Sequence, residues 1–172
     1  KLKVVVSKVD GAIAYKDSSG KQLMLEGTRM LTPAVVNGEK TYKAESFLNV
    51  YGSPEGLYGL GQHQAGVWNY RGESVDVSQE NSNIAVPLLV SSNGYGLFWN
   101  NYSRSRFNNR FANYLYISSE VADTIDYYFI YGPELDQVVA EYRELTGTAP
   151  LFGKWAYGFW QCKNRYKTQD EL

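Results

Sequence analysis

Residues 84–99 read Ile-Ala-Val-Pro-Leu-Leu-Val-Ser-Ser-Asn-Gly-Tyr-Gly-Leu-Phe-Trp. The stretch joins a strongly apolar run, 84–91, to a second run, 95–99, that is rich in aromatic residues. Between the two runs lies Asn93-Gly94, a pair that readily adopts the left-handed backbone of a tight hairpin turn. The stretch therefore predicts a β-hairpin and points to a fold made mainly of β-strands.

Alternation of apolar and polar residues, typical of strands with one buried face, recurs along most of the chain. Turn residues such as Asp10-Gly11 and the stretch 17–20 separate these segments. The predicted strands lie at residues 2–6, 13–15, 23–25, 41–51, 84–91, 95–99, 114–118 and 125–131. Many short strands with regular turns predict a β-sandwich, which we assign to residues 1–132.

One segment, 133–150, has helical periodicity and connects the sandwich to the C-terminal residues. Pro133 suits the first helical position, while Gly147 is placed to cap the helix and Pro150 prevents its continuation. The apolar residues of the segment fall on one stripe: Leu135, Val138, Val139, Tyr142 and Leu145. This spacing predicts a single amphipathic helix.

The final segment, 151–172, has the character of the start of another domain. Its apolar aromatic run predicts a strand, and Thr168 and Glu171 have the spacing of a capping box at a helix start. A strand followed by a helix start is half of a βα unit, and half a unit cannot bury its own apolar face. We therefore expect a piece of a longer protein whose aromatic tail is partly exposed and is able to mediate a homo-oligomer: Trp155, Phe159 and Trp160.

The composition is that of an ordinary globular protein. Of the 172 residues, 44% are hydrophobic and 20% are charged, and the net charge is −1. A near-neutral chain has no field that attracts nucleic acid or an anionic membrane, and no stretch approaches the about 20 apolar residues of a membrane span. The arginines of the stretch 104–110 are interpreted as a solvated strand edge rather than a nucleic-acid patch: Arg104, Arg106 and Arg110.

The scarcity of cysteine and histidine excludes several kinds of site. The single cysteine, Cys162, excludes an internal disulfide framework and a cysteine-based zinc site, and we expect it to be a small buried strand residue. The single histidine, His63, excludes a histidine-rich metal site, and we expect an ordinary loop residue. No cofactor is predicted.

Aromatic residues make up 15% of the chain. Their flat faces suit both β-sheet packing and stacking on sugars, and core packing is the favoured interpretation for any one of them. Three functions remain open from the residues alone. The chain is part of an enzyme, a stand-alone carbohydrate-binding sandwich, or a purely structural packing domain.

Three segments resemble glycoside hydrolase family 31, the α-glucosidase and α-xylosidase family. They are Leu57-Tyr-Gly-Leu-Gly-Gln62, residues 83–99, and Lys154-Trp-Ala-Tyr-Gly-Phe-Trp-Gln161. The resemblance implies an N-terminal β-supersandwich of the galactose-mutarotase-like type, followed by a (β/α)8 barrel. In this interpretation, 155–162 is the first barrel strand and Thr168 starts the first barrel helix. Gln62 and the stretch 69–72 look more like the bacterial α-xylosidase branch than like the α-glucosidases.

The resemblance also implies a function. Enzymes of this family are retaining glycosidases whose catalytic aspartates lie on the barrel, so no catalytic residue is carried over to this chain. The implied role is a non-catalytic domain that shapes the substrate pocket, and the expected partner is an α-xyloside or α-glucoside of plant or storage glycans. A bacterial enzyme, periplasmic or secreted, is the expected source.

Four residues are carried over as candidate contacts to the sugar. The family places an aromatic residue near the sugar after the first barrel strand, and Tyr166 is the matching position. Such residues belong at the C-terminal ends of barrel strands, where barrel active sites gather. A loop of the sandwich from Trp68 to Asn81 is expected to reach over the barrel mouth. The candidate substrate-binding residues are Tyr166, Trp68, Gln79 and Asn81.

Overall fold

The computed structural model describes residues 1–50, 55–111 and 113–171. They form eleven strands and one α-helix, α1, besides two short 3₁₀ helices. The strands are β1 (Lys3–Val6), β2 (Ile13–Lys16), β3 (Gln22–Val36), β4 (Glu39–Val50), β5 (Leu57–Gln62), β6 (Ser74–Val77), β7 (Ile84–Ser91), β8 (Tyr95–Trp99), β9 (Ser105–Asn108), β10 (Tyr114–Ala122) and β11 (Tyr127–Tyr131), and α1 spans Leu135–Thr146. Two predicted ends, Tyr51 and Leu172, lie outside the described residues.

The strands are divided between two antiparallel sheets. One has seven strands in the order β1-β2-β3-β4-β10-β9-β6, and the other has four in the order β11-β8-β7-β5. In β4 and β10 alternate residues are buried, and the fully buried Leu48 and Ile117 lie on these inward faces. Trp99 of β8 donates its Nε1–H to Ser119 Oγ of β10 at 2.8 Å, which joins the two sheets. The predicted β-sandwich is confirmed.

The hairpin 84–99 forms β7 and β8, as predicted, and its sheet is covered on both faces. Leu89 and Leu97 face the core between the sheets. Leu88 and Val90 lie in a second apolar cluster that contains Val138 of α1. A sheet that is buried on both faces needs an almost continuous apolar sequence, which explains the run at the start of the hairpin.

Helix α1 starts slightly later than predicted and ends as predicted. Glu134, rather than Pro133, is next to the helix, and its N–H donates to Gln137 Oε1 at 3.3 Å. At the other end Gly147 has φ 89° and donates its N–H to Arg143 O at 2.8 Å. The cap therefore falls on the glycine whose backbone freedom allows it.

Only part of the predicted apolar stripe of α1 contacts the sheet. Val138 is fully buried, and the ring of Tyr142 packs edge-on against Phe98 with 5.3 Å between centroids. The other three members of the stripe are exposed: Leu135, Val139 and Leu145.

The expected strand over 155–162 is absent, and this prediction is wrong for the described residues. The segment instead contains a 3₁₀ helix at Lys154–Tyr157 and another at Gln169–Glu171. A strand needs hydrogen bonds from a neighbouring strand, and none lies beside this segment in the described part of the chain. For the same reason Cys162 is exposed rather than buried. The aromatic residues expected to be exposed are so: Trp155, Phe159 and Trp160.

The helix start predicted at Thr168 is partly retained. The second 3₁₀ helix follows this residue directly, and the Glu171 N–H donates to Thr168 O at 3.4 Å. The Glu171 carboxylate, however, accepts the Lys167 N–H at 3.1 Å, one residue before the predicted cap.

Strand β5 contains three consecutive residues with positive φ. The values are 96° at Gly59, 63° at Leu60 and 97° at Gly61, and the pairing with β7 is irregular at this point. A Cβ atom at Gly61 would overlap the carbonyl oxygen of Ile84, and one at Gly59 would overlap that of Leu88. Glycine is therefore required twice, for backbone conformation and for close approach.

Gly61→Ala should destabilise the fold by about 3 kcal/mol or more, since positive φ costs an L-residue about 1–2 kcal/mol and overpacking adds about 1–3 kcal/mol. The matched control is Gly20→Ala, because Gly20 has φ 89° with no atom near its Cβ position. Gly20→Ala should lower the free energy of unfolding only by the cost of positive φ, about 1–2 kcal/mol. Urea unfolding of both variants measures the difference, and equal losses would show that contact with β7 is unimportant.

Candidate functional site

Two connections meet at the end of β5. One joins β5 to β6 over residues 63–73, and the other joins β6 to β7 over residues 78–83. The last pair of the β5–β7 ladder is Gln62 with Ile84, so the first connection begins, and the second ends, at the same edge of the four-stranded sheet. The Gln64 N–H donates to Asn83 Oδ1 at 3.3 Å and links them directly.

The loop expected over 68–81 is not continuous. Strand β6, Ser74–Val77, interrupts it and pairs with β9 at the edge of the seven-stranded sheet. The candidate residues therefore lie on two separate connections. Trp68 belongs to the first, whereas Gln79 and Asn81 belong to the second.

The side chain of Gln79 holds the second connection in shape. Its Nε2 donates to Asn83 O at 2.7 Å, and its Oε1 accepts the Ala85 N–H at 3.2 Å. Ser82 has φ 68°, which closes the turn tightly. The side-chain amide of Gln79 is therefore used to form the turn, whereas Asn81 is exposed at the tip of the turn.

The two aromatic candidates lie in different surroundings. Trp68 is 84% exposed, with its ring centroid 6.3 Å from that of Tyr58 on β5. Tyr166 is half-buried in the C-terminal segment, where its hydroxyl accepts a hydrogen bond from Gln161 Nε2 at 2.9 Å. Lys163 Nζ lies 5.5 Å from the centre of the Tyr166 ring. The contacts of Tyr166 thus join it to its own segment.

A cavity of about 420 Å³ beside Gln79 was missed by sequence reasoning. Its walls come from β6, β7, the stretch 98–105 and α1, and they combine aromatic, amide and guanidinium groups: Phe98, Asn100, Asn101, Tyr102, Arg104 and Tyr142. Tyr102 is fully exposed, so its ring face is free for stacking. The signal in the sequence was an aromatic residue next to two asparagines just after β8.

His63 lies at the start of the first connection, as expected for a loop residue, with Nε2 2.8 Å from Leu60 O. Among the described residues, no group of three or more His, Cys, Asp and Glu side chains is arranged to hold a metal ion. No described helix has the length and apolar character needed to cross a bilayer.

A buried carboxylate lies behind the first connection. Glu55, just before β5, is 2% exposed and accepts hydrogen bonds from Tyr95 Oη at 2.6 Å and from Ser91 Oγ. Arg71 Nη1, from the first connection, lies 3.7 Å from Glu55 Oε2. Sequence reasoning did not single out this glutamate, because burial is not visible in a lone acidic residue of a turn-like stretch.

Burial raises the pKa of Glu55, and the hydrogen bonds from Ser91 and Tyr95 and the charge of Arg71 oppose that rise. Burial also places the pKa of Tyr95 well above its usual range, and the adjacent carboxylate adds to the effect. The hydroxyl of Tyr95 therefore remains a hydrogen-bond donor to Glu55.

Glu55→Gln should change how stability depends on pH. The pKa of Glu55 in the folded state is higher than its value of about 4.3 in the unfolded state. Glu55 therefore contributes its full stability below about pH 4.3, and this contribution is lost as pH rises through the folded-state pKa. Glutamine does not ionise. The unfolding free energy of the variant minus that of the unmodified chain should therefore increase as pH rises above about 4.3.

The control for this experiment is Glu45→Gln. Hydrogen bonds from Lys43 and Tyr116 lower the pKa of Glu45, so its contribution has the opposite sign. Between about pH 3 and pH 7, this variant should lose stability relative to the unmodified chain as pH rises towards the unfolded value of about 4.3, with no further change above it. Urea unfolding across that range measures both, and parallel curves for the two variants would contradict the assignment.

The two packed sheets and the covering helix define the class of the domain as a two-sheet β-sandwich with one helix packed on its smaller sheet. The sequence profile described as "Glycosyl hydrolase 31 N-terminal galactose mutarotase-like domain" matches residues 1–108. The chain therefore belongs to glycoside hydrolase family 31, and the resemblance found in the sequence is confirmed.

Two relatives illustrate the range of the family. An alpha-xylosidase of Saccharolobus solfataricus is 41% identical over 177 aligned residues, which cover 99% of this chain and 24% of the relative. Alpha-glucosidase 2 of Bacillus thermoamyloliquefaciens is 28% identical and covers 100% of this chain, which spans 23% of that protein. The chain thus spans about a quarter of the length of these relatives.

Two solved structures of GH31 enzymes are similar in fold to this chain. A GH31 alpha-xylosidase from a soil metagenome, complexed with xylose, superimposes with a TM-score of 0.81 at 27% identity and covers 100% of this chain, or 30% of that structure's chain. The GH31 alpha-xylosidase of Xanthomonas citri gives a TM-score of 0.84 over 100% of this chain and 35% of its own. At 22% identity this second likeness supports the fold alone.

Proposed function

We propose that this chain is the N-terminal, non-catalytic domain of a retaining α-glycosidase that acts on α-xylosides, and that it forms one wall of the substrate pocket of an adjoining (β/α)8 barrel. The observation that carries the proposal is the 41% identity to an alpha-xylosidase across 99% of this chain. The metagenomic structure complexed with xylose, 27% identical, supports the same substrate class.

The edge of the four-stranded sheet supplies the features that a pocket wall needs. Trp68 offers an exposed ring for stacking, and Asn81 offers an exposed amide at the tip of the neighbouring turn. Aromatic faces combined with a few polar groups are typical of small-molecule sites. Tyr166 contributes from the segment that we assign to the start of the barrel.

An α-glucoside is the alternative substrate. The similarity to Alpha-glucosidase 2 at 28% identity over 100% of this chain favours it. The two substrates differ by the hydroxymethyl group of glucose, and a group of that size changes discrimination by about 1–3 kcal/mol. The ratio of kcat/KM for aryl α-xyloside to that for aryl α-glucoside, measured on the natural polypeptide, decides between them.

The chain of 172 residues should hydrolyse neither substrate, whereas the natural polypeptide that carries it should hydrolyse aryl α-xyloside. The physical reason is that retaining hydrolysis needs two carboxyl groups about 5–5.5 Å apart on either side of the bond, which we assign to the barrel. Turnover that co-purifies with the 172-residue chain would contradict the proposal. One pocket wall encloses too little of a sugar to bind it tightly. Xylose binding by this chain at millimolar or lower concentration would therefore favour a stand-alone binding module.

Tyr166→Ala in the natural polypeptide should lower kcat/KM for aryl α-xyloside by about tenfold or more, equivalent to about 1.4 kcal/mol of lost transition-state stabilisation. The control is Tyr42→Ala, which removes an exposed tyrosine near the start of β4 on the seven-stranded sheet and should leave kcat/KM unchanged. If Tyr166 only packs the chain, its variant will lose thermal stability while kcat/KM remains near that of the unmodified enzyme.

A further inference from the structure

We propose that Glu55 and Arg71 are positioning residues that fix the connection carrying Trp68 against the four-stranded sheet. The inference rests on the proposed function, because the connection is assigned there to the pocket wall. Glu55 is buried beneath the surface, and the partly exposed side chain of Arg71 lies over it.

The carboxylate of Glu55 joins three separate elements. Its Oε1 accepts the hydroxyls of Ser91 at the end of β7 and Tyr95 at the start of β8. Its Oε2 faces Arg71 of the connection 63–73. One side chain therefore ties the connection to the hairpin on which the sheet is built.

The contact between Glu55 and Arg71 is electrostatic rather than a formed hydrogen bond. At 3.7 Å, Oε2 and Nη1 attract each other in a poorly solvated place, and neither atom has a hydrogen-bond partner among the described residues. Such a pair contributes little net stability but strongly disfavours states in which one charge is left buried alone. If the connection moved away, Arg71 would move with it and the Glu55 carboxylate would be left buried without its cation.

Short-range bonds transmit this restraint to Trp68. Asn69 Oδ1 accepts the N–H groups of Leu57 and Arg71, each at 3.0 Å. The Tyr70 N–H donates to Leu57 O at 2.8 Å. Trp68 immediately precedes this anchored stretch and lies three residues from Arg71, so its ring is placed by the anchor although it is itself exposed.

The test uses Glu55→Gln and Arg71→Gln, each followed by amide hydrogen exchange. Glutamine at 55 keeps an oxygen for Ser91 and Tyr95 but turns an amide donor towards the guanidinium, which expels Arg71 from the site. The amide of Tyr70 should exchange about tenfold faster or more in both variants, while that of Ile117 in the core stays within about twofold. The double variant allows an amide pair and should restore part of the protection.

Glu45→Gln is the matched control. It also removes a carboxylate that contacts a cation, Lys43 Nζ at 2.7 Å, and a tyrosine hydroxyl, that of Tyr116, but it lies on the seven-stranded sheet. It should leave the exchange of Tyr70 unchanged. Unchanged Tyr70 exchange in Glu55→Gln and Arg71→Gln overturns the inference, as does equal acceleration by the control.

Kinetics of the natural polypeptide separate this inference from the proposed function. Loss of positioning should raise KM for aryl α-xyloside by about fivefold or more with kcat within about twofold. Faster Tyr70 exchange with unchanged KM overturns the claim that the pair positions the connection for substrate. If Tyr70 exchanges faster in the variants but the natural polypeptide hydrolyses neither glycoside, the inferred role of Glu55 and Arg71 in holding the connection stands and the proposed function is refuted.

Discussion

The backbone of Gly59, Leu60 and Gly61 lies against β7 so closely that a side chain at either glycine would overlap a carbonyl oxygen of that strand. The left-handed conformation of all three residues turns the fully buried Leu60 into the core. It also fixes where β5 ends, and therefore where the first connection of the candidate site begins and, through the Gln62–Ile84 pair, where the second ends. The Tyr-Gly-Leu-Gly stretch is thus a structural requirement rather than a binding loop.

Buried and half-buried polar side chains between the sheets add a second constraint. Tyr127 of β11 donates to Glu26 of β3 at 2.8 Å, and the hydroxyls of Tyr15 and Tyr127 are 3.1 Å apart. The ring of Tyr15 stacks on Phe129 with 4.0 Å between centroids. Part of the high aromatic content is therefore used in the core, where tyrosine packs with its face and donates its hydroxyl to a buried carboxylate. The Glu55 network follows the same rule at the edge of the smaller sheet.

The parts of the fold that were predicted are those in which local sequence and tertiary environment agree. The hairpin 84–99 combines a turn signal with runs that the structure buries, and α1 combines helical spacing with Gly147 as a cap. Strand β5 was recognised only as a family motif, because glycine-rich sequence is depleted in strands and its pairing depends on contact with β7. The strand expected in the tail was wrong, since apolar alternation alone does not provide a neighbouring strand.

The candidate site was predictable in outline and not in detail. The resemblance located the connections that hold Trp68 and Asn81, but β6 divides the expected loop, and the amide of Gln79 is occupied by its own turn. Glu55 and Arg71 are 16 residues apart in sequence and meet only because the connection folds back over β5, so no spacing rule would have paired them.

The proposed pocket wall requires that this edge of the sandwich, together with Tyr166, faces the sugar. A crystal structure of the natural polypeptide with an unhydrolysed α-xyloside tests this requirement most directly. We expect the rings of Trp68 and Tyr166 within van der Waals contact of the sugar, about 4–4.5 Å between heavy atoms. A sugar bound in the barrel with both rings beyond that range, or packed against other protein segments, would contradict the proposal.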